Sequence, residues 1–139
     1  MNHYTFSEIQ IGAKESFVFD IDSEKMDLFS KISGDKNPLH TDLQFAKSKG
    51  FSENVVYGML TASSLSTLAG MYLPGERSII HSVEIKFVSP VLLSACPLSV
   101  SGEVIEKDER FNFIQLKFTI KNKLDIKVAQ GKMQIGVTA

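Results

Sequence analysis

One stretch of this sequence concentrates groups that could move protons: Ser33-Gly34-Asp35-Lys36-Asn37-Pro38-Leu39-His40. It sets a carboxylate and an imidazole five residues apart, on either side of a turn stiffened by proline. Such a couple can hold one water, the carboxylate accepting one proton while the imidazole orients the oxygen or supplies and removes the other. The same residues also make an ordinary turn, with Asp35 and Asn37 as turn formers and His40 as a surface histidine. Local sequence leaves both readings open. Other candidates carry less chemistry. His81 falls on the inward side of a strand pattern and reads as a half-buried structural histidine, His3 is an exposed residue near a terminus, and Cys96 beside Pro97 has no neighbouring base.

The elements that must position this stretch can be read on either side of it. Lys14 to Ile21 alternates, with Phe17, Phe19 and Ile21 on one side, and predicts a strand. Ser23 is the expected N-cap of a helix carrying Met26, Phe29 and Ile32, which Gly34 ends. Asp35 to Pro38 is a breaker cluster, because the residue before proline is pushed out of the helical region. Asp42 caps a short helix through Phe45 and Ala46, closed by Gly50. Then comes an oddity: 22 residues without a charge between Glu53 and Glu76. Such a run is long enough for a membrane span, but Tyr57, Gly58, Thr61, Ser63, Ser64, Ser66, Thr67 and Gly70 dilute it, and no Lys or Arg anchors flank it. It predicts a helix from about Tyr57 to Tyr72, on the order of 24 Å long, buried on most of its faces. Leu73-Pro74-Gly75 stops it.

Beyond Gly75 the texture becomes strand-like: Arg77–Val88, Leu98–Lys107, Phe111–Asn122 and Ile126–Val137. Ile79, His81, Val83, Ile85 and Phe87 fall on one face of the first, and Ile114, Leu116, Phe118 and Ile120 on one face of the third. Turns are expected at Lys107-Asp108-Glu109 and Lys123-Leu124-Asp125. Helices segregated from strands predict an α+β fold with an antiparallel sheet, which must wrap the one long apolar helix.

Composition bounds the function. The 139 residues fit one domain, 1–139, and 43% hydrophobic against 22% charged residues excludes a disordered chain. Fifteen Lys and Arg against 16 Asp and Glu provide no bulk drive toward nucleic acid or an anionic membrane, so neither is an expected partner. One cysteine cannot form an intrachain disulfide, no Cys/His cluster has zinc spacing, and MNHYTFSEIQ is no signal peptide; the expected compartment is the cytoplasm.

SGDKNPLHTD, followed by AKSKGF and VVYGMLTASSLS, resembles the MaoC-like family of hotdog-fold hydratases and dehydratases. That family's signature runs Ser-Gly-Asp-x-Asn-Pro-x-His-x-Asp, then Ala and Phe, then His-Gly-Met and a serine on the central helix. The similarity continues through LPGERSI and IKFVSPV, covering most of the chain from about Phe19. It implies a hotdog fold, an antiparallel sheet wrapped around a long central helix. It also implies reversible hydration of a trans-2-enoyl thioester to the (R)-3-hydroxyacyl thioester. By this resemblance Asp35 and His40 are the catalytic pair that activates the water. Gly58, Tyr57, Ser66 and Asn37 join them on the substrate side, with Gly58 at the helix start where a backbone N–H meets the thioester carbonyl. Ser66 also reads simply as a small residue that permits packing. No metal and no bound cofactor is implied; the substrate rides on coenzyme A or an acyl carrier protein, and a subset of Lys36, Lys47, Lys49, Arg77 and Lys86 would meet the phosphates. A homodimer or larger even oligomer is expected, with the site at its interface.

The sequence departs from the pattern in two places. Tyr57 stands where the family has histidine; it can donate a hydrogen bond but cannot act as an imidazole. PVLLSACP replaces an acidic Gly-Asp that often follows in relatives. Two rivals remain. A thioesterase of the same fold would want a carboxylate on or opening the central helix, where only Glu53 comes near. A non-catalytic acyl-binding domain would have no need of both Asp35 and His40.

Overall fold

The computed structural model describes residues 1–139. Strand β1 (Lys14–Phe19) leads into helix α1 (Ser23–Ser33), the one-turn α2 (Pro38–Thr41), α3 (Leu43–Ser48) and the central α4 (Gly58–Thr67). Four strands follow: β2 (Ser78–Phe87), β3 (Leu98–Asp108), β4 (Phe113–Lys121) and β5 (Lys127–Val137). All pairings are antiparallel, and the sheet order is β1-β3-β4-β5-β2.

Alternation decides which face of the sheet turns inward. Val104, Leu116, Met133 and Val83 form one ladder across β3, β4, β5 and β2. Ile114, Leu116, Phe118 and Ile120 are fully buried, as their spacing predicts. Against this face lies α4, extended by a π-helical turn over Leu68–Tyr72 in which the N–H of Leu73 reaches back to the carbonyl of Leu68. The expected single helix is therefore an α-helix with a widened last turn. Gly102 makes the contact close: a Cβ there would sit 3.0 Å from the Leu68 side chain. No helix of the chain is long and apolar enough to cross a membrane.

Three local expectations are corrected. Asp22, not Ser23, caps α1: it is extended (φ −126°) and its carboxylate accepts the N–H of Lys25 at 2.9 Å. Pro38 breaks one element but opens another, standing at the first position of α2, where its missing N–H costs nothing. His81 is not on the inner face. A bulge between Ile80 and Ser82 shifts the register, so Ile80 pairs with Ile135 and Val83 with Met133, while His81 becomes the extra residue. It is exposed, lies over Gly136 and is hydrogen-bonded to Gln134 at 3.1 Å.

Candidate active site

The loop from Gly34 to Pro38 is held by hydrogen bonds centred on Asp35, from within the loop, from the end of α1 and from Tyr57. Gly34 ends α1 in the left-handed region (φ +76°), where a side chain would be strained. The Asp35 N–H donates to Ser33 Oγ at 3.1 Å. Its carbonyl accepts two hydroxyls, Ser30 Oγ at 3.0 Å and Tyr57 OH at 2.8 Å. The N–H of Asn37 donates to Asp35 Oδ1 at 2.9 Å, an Asx-type turn that fixes the carboxylate and leaves Oδ2 without a protein donor. Asp35 is exposed and its backbone is held on both sides.

His40 sits at the third position of α2, half-buried. Its Nδ1 lies 2.7 Å from the carbonyl of Val55. A carbonyl can only accept, so Nδ1 carries the proton and Nε2 of the neutral ring is an acceptor. The ring stacks on Tyr57, with centroids 4.1 Å apart and planes 29° from parallel. Tyr57 is 2% exposed and also packs against Phe29. One side chain thus holds both members of the pair: its hydroxyl ties down Asp35 and its face supports His40.

Tyr57 is also the residue before α4, and it offers that helix no side-chain cap. The first N–H groups of a helix have no partner within it, so those at Gly58 and Met59 remain available beside the positive end of the helix dipole. A cleft of about 500 Å3 collects the parts: Asp35, His40, Tyr57, Gly58, Met59 and Phe87 are among its walls. Phe87, at the end of β2, reaches this cleft because Gly58 has no side chain; a Cβ there would lie 3.3 Å from its ring. A second, apolar cavity of about 320 Å3 shares His40, Gly58 and Phe87 with the first.

Of the residues singled out from the sequence, Asp35, His40, Tyr57 and Gly58 meet in one cleft. Asn37 is spent on the turn: its side-chain oxygen caps α2 by accepting the N–H of Leu39 at 2.9 Å. Ser66 lies on the exposed side of α4 and lines neither cavity beside His40. Glu53 accepts the N–H of Ser94 at 2.6 Å and so holds a neighbouring loop. Arg77 lies 4.0 Å from Glu76, and Lys49 lies over the ring of Phe45. Burial, with lesser help from the Asp20 and Glu53 carboxylates, pushes the Cys96 thiol up to about 11. No group of His, Cys, Asp and Glu side chains could hold a metal ion. Sequence reasoning did not find Phe87 or the Val55 carbonyl. Phe87 showed only as one apolar residue in an alternating strand, and a backbone acceptor leaves no trace in residue type.

Comparison with known proteins bears on the chain as a whole. The family described as MaoC like domain matches residues 8–125. An (R)-specific enoyl-CoA hydratase of Rhodospirillum rubrum is 30% identical over 140 residues, 99% of this chain and 93% of that protein. A 3-hydroxybutyryl-CoA dehydratase of Methylorubrum extorquens is 31% identical over 73% of this chain and 59% of its own length. Among solved structures, the (R)-hydratase of Aeromonas caviae involved in PHA biosynthesis superposes with a TM-score of 0.88 at 28% identity, covering 93% of this chain and 97% of that one.

Proposed function

The chain belongs to the MaoC-like domain family, and from that premise we propose that it is a hydro-lyase of acyl thioesters, adding water reversibly to the 2,3-double bond of an enoyl thioester. The (R)-3-hydroxyacyl thioester is the product on this reading, in keeping with the printed activity of its relatives. The observation that carries the site assignment is the bond from His40 Nδ1 to the Val55 carbonyl, which leaves Nε2 as the basic nitrogen of a ring that lines the cleft of Asp35 and Gly58.

In the hydration direction Asp35 accepts a hydrogen bond from one O–H of a bound water, a hydrogen the oxygen keeps, while Nε2 of His40 removes the other proton as oxygen bonds to C3. The electron pair of the double bond moves toward the thioester carbonyl, whose oxygen gains charge at the open start of α4. The proton on Nε2 then passes to C2, so the atoms of one water end on C3 and C2. The reverse sequence removes water. No cofactor enters these steps; coenzyme A or an acyl carrier protein is part of the substrate. A second copy of this chain would cover the apolar side chains that α4 and β2 leave exposed, among them Met59, Met71, Ile79 and Val83. The unpaired thiol of Cys96 supports the cytoplasm as compartment.

The test is loss of enoyl absorbance on crotonyl-CoA, longer enoyl-CoAs and the matching carrier-protein thioesters, with free thiol assayed in parallel. The proposal expects absorbance loss without thiol release. Inactivity across the panel contradicts it, and thiol release favours the thioesterase, for which Glu53 is badly placed because Ser94 already occupies its carboxylate.

A further inference from the structure

On the proposed function, on which this inference rests, His40 gains a positive charge in the middle of the reaction. Its Nδ1 already carries a proton, donated to the Val55 carbonyl 2.7 Å away. Once Nε2 takes the proton of the water, both ring nitrogens carry hydrogen, and the ring is a cation until that proton reaches C2. A charge formed on a half-buried ring is costly unless something beside it carries opposing charge. None of the four ion pairs of the chain involves His40.

What does touch the ring is the face of Tyr57. The two rings stack with centroids 4.1 Å apart and planes 29° from parallel. An aromatic face is the negative pole of the ring's quadrupole and attracts a cation placed over it, more strongly where water is excluded. Tyr57 is buried, so little water screens that attraction. Four other cations lie over aromatic rings in this chain, Lys25, Lys49, Lys107 and Arg110, at 4.5 to 5.3 Å and all over phenylalanine. His40 is closer to its ring than any of these. The tyrosine beneath it is also fixed, its hydroxyl bonded to the Asp35 carbonyl at 2.8 Å and Phe29 packed against it at 4.9 Å. A phenol that donates its proton becomes more electron-rich, which deepens the negative face.

We propose that the face of Tyr57 stabilises the imidazolium that His40 becomes during turnover, lowering the barrier in both directions. Tyr57 is then a positioning residue whose electrons, and not its shape alone, set the rate. The histidine of the family pattern would instead place a second proton acceptor beside the ring.

The experiment changes the electrons of the ring and almost nothing else. Residue 57 is replaced by phenylalanine (Tyr57→Phe) and, through a suppressed stop codon, by 4-fluoro-, 3,5-difluoro- and 3,4,5-trifluorophenylalanine. Each fluorine draws charge from the face. The kcat for crotonyl-CoA hydration should fall stepwise along the series, about fivefold from no fluorine to three, with KM little changed. In the His40→Gln background, where no cation forms, the residual rate should not depend on fluorine. Circular dichroism and thermal melts select the folded members, and the first two differ by one atom, so that pair alone gives the sign. A kcat that stays flat or rises with fluorine, or the same fall in the His40→Gln background, overturns the electronic role of Tyr57 and leaves the hydratase reading intact. Absence of crotonyl-CoA hydration by wild type overturns that reading and this inference with it.

Discussion

Helices α2 and α4 both open onto the candidate site, and they treat their N-termini in opposite ways. At α2 the chain satisfies itself: Asn37 caps the turn, its N–H holds the Asp35 carboxylate, and Pro38 removes one donor. At α4 nothing of the chain's own caps the first turn. Helices α1 and α3 follow the pattern of α2, capped by Asp22 and Asp42. The difference separates two duties. The closed end fixes the groups that handle protons; the open end keeps donors and dipole for a ligand oxygen. Tyr57 joins the two ends, since it precedes α4 in the chain while its hydroxyl and ring hold Asp35 and His40.

The comparison can be broken most forcefully at the closed end. His40→Gln and Asp35→Asn should each lower kcat for crotonyl-CoA hydration by about 10²- to 10⁴-fold with little loss of thermal stability. Next is the link. Tyr57→Phe keeps the ring on His40 and removes the bond to the Asp35 carbonyl, which retains Ser30 as donor. It should cost about 1 kcal/mol in denaturant unfolding and lower kcat roughly five- to tenfold while KM changes little. Tyr57→Leu should lose more of both, because the stacked support of His40 goes too.

Capping separates position from stability. Asn37→Ala and Asp22→Ala each remove a side-chain cap and should destabilise the fold by about 1 kcal/mol. Only Asn37→Ala should also slow hydration, since Asp22 caps α1 at the end remote from Asp35. Equal kinetic effects would dissolve the distinction between a cap that positions chemistry and one that does not. The smallest effect lies outside the cleft. The Cys96 thiol has its folded value raised from 9.0 to about 11, so the stability it contributes is present below pH 9 and falls as pH rises toward 11. Cys96→Ser should flatten that part of the stability–pH curve, read from urea midpoints, and leave hydration unchanged.

How much of this was legible in the sequence follows from what kind of signal each feature leaves. Gly34, Asp42 and Gly50 mark their ends of helices because cap chemistry is written in residue type. The inner face of β4 follows from the alternation of Ile114, Leu116, Phe118 and Ile120. Alternation failed at His81, where one bulged residue reversed the face with no change in composition. It was also silent about α2, because proline both stops and starts helices. The pairing of Asp35 with His40 rested on motif resemblance; the fixed tautomer of His40 rests on a backbone carbonyl 15 residues away, which no residue pattern reveals.

The central claim is that Asp35 and His40 act on one water as a unit. It is tested most directly by kcat of the folded Asp35→Asn/His40→Gln double variant on crotonyl-CoA, measured beside both single variants. Groups that share one step lose their effect together, so the double variant should be no more than about threefold slower than the slower single. Losses that multiply would mean two independent roles and would contradict the account, as would single variants that hydrate at the wild-type rate.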